Sequence, residues 1–222
     1  MANQEIYHVY NRSVGDLDVF SSHSKIQRIL QLFFYYRYIQ RLRFSHFNKL
    51  SWQTKEQYIY QFLSQTPLVE IYAYSLMPNH YHLLLKQLQD GGIIRFLSNC
   101  QNGFAKFFNL KKKRNGTLFL TSFKAVRITN EEQFIHVSRY IHLNPVTDYL
   151  IKTEELLKSL FTSFRWYMRD MTMDCFINTE KILSIFKSKQ KYKKFVFNQI
   201  DYQRKLGRIK KFLLEKKIEK WC

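Results

Sequence analysis

The chain predicts an α+β fold: an antiparallel sheet with helices packed on one face, followed by a basic helical tail. Three observations carry that prediction. Segments 5–13, 68–76, 80–86 and 117–128 are rich in β-favouring residues, while the segments between them repeat apolar residues at helical spacing. The resulting order is strand, helices, strand, strand, helix, strand, helix, and the middle pair is separated only by Met77, Pro78 and Asn79, which suits an antiparallel hairpin. Beyond residue 150 no strand signal recurs and lysine becomes frequent, so the expected division is a domain over 1–150 and a helical basic tail over 151–222.

Residues 5–13, EIYHVYNRS, alternate as a first strand, with Ile6, His8, Tyr10 and Arg12 on one face and Tyr7, Val9 and Asn11 on the other. Gly15 and Asp16 form its exit. From 24 to about 44, Ile26, Ile29, Leu30, Phe33 and Phe34 recur at helical spacing behind Ser22 or Ser24 as cap, and 35–43 adds arginines to the same helix. A second helix is expected over 51–63, with Ser51 and Thr54 as cap candidates and Pro67 beyond its end. Gly91-Gly92 breaks the chain after the hairpin, and 93–110 reads as a helix whose Ile94, Leu97, Phe104 and Phe108 form a buried side. Lys111, Lys112, Lys113 and Arg114 form a basic loop closed by Asn115-Gly116, readable equally as a solvated loop or as phosphate contacts. The last strand candidate, 117–128, has a kink expected at Thr121-Ser122. Thr129 and Asn130 cap a helix that opens on Glu131 and Glu132 and ends at Asn144, before Pro145. Helical stretches in the tail are expected near 154–160, 180–186, 189–200 and 203–220.

Composition narrows the function classes. Of 222 residues, 45% are hydrophobic, including 20 Phe and 15 Tyr, which excludes a disordered chain. The formal charge of +19, from 36 Lys and Arg against 17 Asp and Glu, makes a polyanion the expected partner, nucleic acid above all. A biased genome also raises lysine, so charge alone does not decide the point. The three cysteines, Cys100, Cys175 and Cys222, have no CxxC spacing and suggest neither a zinc module nor a disulfide framework. No basic-then-apolar signal region follows Met1, and no run approaches the roughly 18 apolar residues of a membrane span; a cytoplasmic protein is expected.

The chemistry concentrates in two short motifs. In YSLMPNHYHLLL (74–85), His80 and His82 stand at i and i+2 of a strand and so point the same way, where two neutral imidazoles can hold one divalent metal. In SRYIHLNP (138–145), Tyr140 and Asn144 share a helical face. Taken alone, each motif also has a structural reading: half-buried histidines, a core tyrosine, and an asparagine capping the helix before proline. Taken together, a helix laid over the open sheet could bring the Asn144 amide oxygen to the metal as third ligand, with the Tyr140 phenol one turn away.

MPNHYHLLL followed by SRYIHLNPV resembles the HUH single-tyrosine transposases, specifically the REP-associated branch. YHVYNRS, LFLTSFKA and NTEKILSIF add to the resemblance, which covers about 5–150 and, more weakly, the tail. It implies a ferredoxin-like sheet that binds single-stranded DNA, often a foldback hairpin. It also implies His80, His82 and Asn144 as ligands of Mg²⁺ or Mn²⁺, and Tyr140 as a nucleophile giving a 5′-phosphotyrosine link. Thr121-Ser122 stand where relatives often carry Gly-Arg, and 38–66 is longer than usual; both bear on substrate choice. Arg12 and Lys124 are expected DNA-backbone contacts or structural ion pairs, and Lys111, Lys112, Lys113 and Arg114 are DNA-binding candidates. His8, His136 and His142 read as structural, with His136 one turn before Tyr140 as a candidate proton acceptor. Monomer and homodimer are both compatible with the sequence. Two further readings stay open: a non-catalytic single-stranded nucleic-acid-binding protein, and a metal-dependent phosphodiesterase that uses water.

Overall fold

The computed structural model describes residues 1–169 and 176–205. Four strands, β1 (Ile6–Arg12), β2 (Val69–Met77), β3 (His80–Gln87) and β4 (Lys124–Ile128), form one antiparallel sheet in the order β2-β3-β1-β4. Three helices, α1 (His23–Tyr36), α2 (Phe44–Phe47) and α3 (Trp52–Leu63), lie in the crossover from β1 to β2, and α4 (Gly92–Lys112) lies in the crossover from β3 to β4. The strand order with these two crossovers is the ferredoxin-like arrangement.

Alternation along β3 decides what each face carries. Tyr81, Leu83 and Leu85 point under α4 and are buried, and the Tyr81 hydroxyl accepts a hydrogen bond from Gln101 Nε2 at 2.6 Å. Helix α5 (Glu131–Thr147) crosses the other face, where its Phe134 meets the Tyr72 ring edge-on. The expected arrangement of helices on one face therefore describes α1 and α4, whereas α5 covers β2 and β3 on the second face. The half over β1 and β4 stays open, with Lys124 and Val126 exposed.

Several expected boundaries shift, each for a reason outside its own segment. The helix expected to run through 43 stops at Tyr36, because side chains hold 37–43 as a loop. Gln40 Nε2 donates to the Tyr35 carbonyl at 2.6 Å, the Tyr35 hydroxyl donates to the Leu42 carbonyl at 2.9 Å, and the Arg37 carbonyl accepts from Leu68 N at 2.7 Å. Lys111 and Lys112 form the last turn of α4, not a loop, and Lys113 ends it in a left-handed conformation (φ 50°). Only 124–128 of the last strand candidate pairs as β4; the Asn11 side chain takes the Leu120 carbonyl at 2.9 Å, and a single bridge, Ser13 to Phe119, precedes it. Helix α5 begins as expected, with Asn130 Oδ1 accepting from Gln133 N at 2.7 Å, but continues through Pro145 to Thr147. Asn144 is therefore inside the helix and is not its cap.

The tail is part of the same buried core. A short 3-10 turn (Thr153–Leu157) leads to α6 (Phe164–Met168), α7 (Glu180–Phe186) and α8 (Lys189–Phe197); residues 200–205 are helical, and the remainder of the helix expected over 203–220 lies outside the described residues. Segments near Thr162 and Ile177 add single bridges to the outer edge of β2, with Leu76 N donating to the Phe161 carbonyl at 2.7 Å and Asn178 N to the Ile71 carbonyl at 2.8 Å, so that edge is covered. Tyr192 reaches α5: its hydroxyl lies 2.9 Å from His142 Nδ1 and 3.0 Å from Ser138 Oγ, while His142 Nε2 lies 2.9 Å from Ser163 Oγ. Burial lowers His142 to about 3, so it stays a neutral hydrogen-bonding group, structural as expected. Among the described residues no helix is long and apolar enough to cross a membrane.

One prediction follows from this docking. Truncation after residue 175 removes Ile182, Tyr192 and Val196, all fully buried, at roughly 1.5–3 kcal/mol each. That is a large part of a typical stability of about 5–15 kcal/mol, so a thermal melt should show a strongly lowered or lost transition. A melt unchanged from the full chain would show that these helices are dispensable to the fold.

Candidate active site

His80 and His82 leave β3 on the face that α5 covers. In the β1–β3 ladder Tyr10 stands opposite His82, and Arg12 opposite His80. Both imidazoles are oriented by partners at Nδ1. His80 Nδ1 lies 2.6 Å from Asn79 Oδ1, and the Asn79 amide is itself set by donating from Nδ2 to Asp16 Oδ1 at 3.1 Å. With that amide orientation, His80 Nδ1–H is the donor and Nε2 carries the free lone pair. His82 Nδ1 lies 2.9 Å from His8 Nε2, a contact that fixes the His82 ring from behind. Burial, reinforced by the Arg12 charge, lowers His80 to about 4; burial lowers His8 to about 4; and burial, with the neighbouring His8 and His80, holds His82 well below its ordinary value. All three rings are thus neutral at neutral pH, the state in which a ring nitrogen can bind a cation.

Helix α5 supplies the other half. The half-buried Tyr140 ring stands edge-on to His82, with centroids 5.6 Å apart, and to His8 at 5.9 Å. One turn on, buried Asn144 donates from Nδ2 to Ser75 Oγ at 3.4 Å, and Ser75 is the β2 residue opposite His82. Burial raises the Tyr140 phenol, a hydrogen bond from the Asn144 side chain lowers it, and the Asp148 charge and Tyr10 raise it further. The resting nucleophile candidate is therefore a neutral phenol. A cleft of about 360 Å³ opens beside it, lined by His8, Tyr10, His82, Val126, Val137 and Tyr140.

The structure gathers His80, His82, Tyr140 and Asn144 around one point of the sheet. Arg12 sits at the same end, exposed, with its guanidinium 3.4 Å from Asp16; Lys124, opposite Tyr10, is exposed on the open half. Lys111, Lys112, Lys113 and Arg114 lie in the α4 layer behind the sheet, where Lys111 Nζ donates to Ser24 Oγ at 3.3 Å and Arg114 bonds Asn109 and the Thr117 carbonyl. His136 does not reach Tyr140: its Nδ1 lies 2.6 Å from Arg139 Nη2, and its ring packs against Phe195. That overturns it as proton acceptor. His8, read from the sequence as structural, lies at the site against His82; Tyr10, visible on the same face of the first strand, and Asp148, one turn beyond Asn144 on the Tyr140 stripe, were passed over as site residues.

The donor set suits a divalent cation. Two neutral imidazoles with oriented Nδ1 atoms present Nε2, and Asn144 Oδ1 makes no hydrogen bond within the described protein. No cluster of three His, Cys, Asp or Glu side chains with metal-holding geometry occurs among the described residues, so a cation here would depend on the amide and on substrate or water for its remaining positions.

Comparison with known proteins points to a transposase family. The family model for IS200-like transposases matches residues 35–144, a span that contains both histidines and Tyr140 and ends on Asn144. Among solved structures, a REP-associated tyrosine transposase bound to a REP hairpin is similar with a TM-score of 0.53 at 15% identity, over 80% of this chain and 88% of that chain, a likeness of fold. No curated protein sequence matches the chain.

Proposed function

The chain belongs to the HUH single-tyrosine transposases, and from that premise we propose that it nicks and rejoins single-stranded DNA at foldback hairpins through a 5′-phosphotyrosine link. The observation that carries the reading is the meeting of Tyr140 with His82, its ring edge-on at 5.6 Å, with Asn144 one turn further along the same helix.

A phosphodiester resists attack because its own negative charge repels a nucleophile. Mg²⁺ or Mn²⁺ held by His80, His82 and Asn144 would offset charge on the non-bridging oxygens. The chain's own residues do the rest. Asn79 and His8 hold the two imidazoles in orientation, and α5 holds the Tyr140 phenol beside them, so the reacting groups meet without a search. The Tyr140 oxygen forms a bond to phosphorus as the bond from phosphorus to the 3′-oxygen breaks; the phenolic proton is lost and the departing 3′-oxygen becomes a hydroxyl. Attack by the 3′-hydroxyl of another strand runs the step backwards and releases Tyr140, with no external energy source. Arg12 and Lys124 border the open half of the sheet face, where they would contact the backbone of the bound strand.

The test is incubation of the full chain with foldback single strands from the gene's own flanks, with Mg²⁺ or Mn²⁺, scored on a denaturing gel. A DNA-linked protein band is expected. Cleavage without that band would point to the water-using phosphodiesterase, and retention of uncut DNA alone to a binding protein.

A further inference from the structure

We propose that the groove between α1, α2 and α4, on the side of the sheet away from Tyr140, binds a single-stranded stretch of the DNA on which the enzyme acts. The inference rests on the transposase reading for the identity of the polyanion and on the groove itself for its location.

The charge of the chain is unevenly distributed. No Asp or Glu occurs between Asp18 and Glu56, or between Asp90 and Glu131. The fold packs these two stretches together, because α1 and α2 come from the first and α4 from the second. Where they meet, a groove of about 650 Å³ opens, lined in part by Arg28, Arg43, Lys49 and Lys106 and by no carboxylate. Among the described residues none of these four cations forms an ion pair. Like charges gathered around a concavity repel one another, and a polyanion lying in it relieves that repulsion.

The remaining lining suits a strand with unpaired bases. The Arg28 guanidinium lies over the Phe107 ring at 4.9 Å and near Phe44 at 5.2 Å, so a planar cation and two aromatic rings line the groove together, the combination on which unpaired bases stack. Asn48, Asn99 and Asn102 bring amides that can pair with base edges, which a duplex would keep in its interior. Gly103 keeps the groove deep: a Cβ there would stand 3.1 Å from Leu32 Cδ2 and push into the space between α1 and α4. The basic strip continues past Lys106 to Lys111 and Lys112; burial first, and then the charges of these two lysines, lower Lys25. The end of α4 therefore leads towards the end of the sheet that carries Arg12 and His80, since Val14 N bonds the Leu118 carbonyl and Leu120 N the Arg12 carbonyl.

The test uses the full chain and a fluorescein-labelled oligo-dT, followed by anisotropy over a salt series. In R43Q/K49Q/K106Q, which changes three exposed side chains, the log-log salt slope should become shallower by about 2, at about 0.7 per lost contact with a single strand. Arg28→Lys keeps the charge and removes the plane, so affinity for oligo-dT should fall several-fold while affinity for an abasic strand holds. A slope unchanged in the folded triple variant overturns the proposal. So does equal competition by duplex DNA or polyglutamate, which would make the groove a general anion surface. The adduct assay is run in parallel on wild type: adducts with an unchanged slope sink the groove alone, whereas a shallower slope without adducts leaves the groove standing and sinks strand transfer.

Discussion

Tyr140→Phe should yield a folded protein that binds foldback DNA and forms no covalent adduct with it. The substitution removes one oxygen and keeps the ring edge-on to His82 and His8, so the packing of α5 on the sheet is preserved. What is lost in the resting protein is one hydroxyl of a half-buried ring, so Tm should move by no more than a few degrees. What is lost in the reaction is the nucleophile, and no nearby group substitutes for it without changing the product. The informative control is Tyr10→Phe. Tyr10 lines the same cleft, its ring stacked 5.5 Å from His82, but it projects from a strand and has no amide one helical turn away. It should retain adduct formation. Tyr167→Phe serves for the core, since that hydroxyl is buried and donates to the Tyr72 carbonyl at 2.7 Å. Digestion of the trapped adduct and sequencing of the linked peptide decides directly: a link at Tyr10, or at any tyrosine other than Tyr140, removes this assignment while leaving the family membership intact.

What the sequence made legible was local, and what it concealed depended on distant parts of the chain. Strand alternation placed His80 and His82 on one face, and Ile6, His8, Tyr10 and Arg12 on one face of their own strand, because the period of two is set within each segment. The Asn130 and Ser51 caps and the bounds of α7 were readable for the same reason. That His8 would meet His82 was not, since it depends on the register between β1 and β3, which no residue in either strand states alone. Pro145 read as a helix stop because it has no N–H to give, yet α5 continues past it: the Pro145 carbonyl accepts from Leu150 N at 2.9 Å and Ile151 N at 3.1 Å, and Asp148 N closes on Asn144. His136 shows the opposite error. Spacing at i and i+4 placed it near Tyr140, whereas Arg139 and Phe195 draw the ring to the tail side of the helix. The strand-like edge pieces at Thr162 and Ile177 are single bridges, too short to leave a periodic signal.

Mn²⁺ should raise the Tm of the wild-type protein, and His80→Ala and His82→Ala should each abolish both that rise and adduct formation. At a hundredfold excess of cation over its Kd that rise corresponds to about 2.7 kcal/mol, well above the scatter of a melt. His80 is half-buried at the start of β3, so its truncation costs little core and gives the cleaner test. His82 is only 8% exposed, and its loss also strands the His8 ring, so His82→Ala should start from a lower Tm. His8→Ala separates orientation from ligation. It leaves all three candidate ligands in place and removes the partner of His82 Nδ1 together with a ring that stands edge-on to Tyr140, so cation affinity should fall about 10–100-fold and excess Mn²⁺ should restore adduct formation, a rescue that His80→Ala cannot show. Asn144→Ala belongs in the same series, because Asn144 lies inside α5 and its removal is not the loss of a helix cap; it deletes a donor to Ser75 and an otherwise unbonded Oδ1. Adduct formation that survives in both His80→Ala and His82→Ala would exclude the histidine pair as the cation site, and Tyr140 would then have to work with charge supplied from elsewhere on the same face of the sheet.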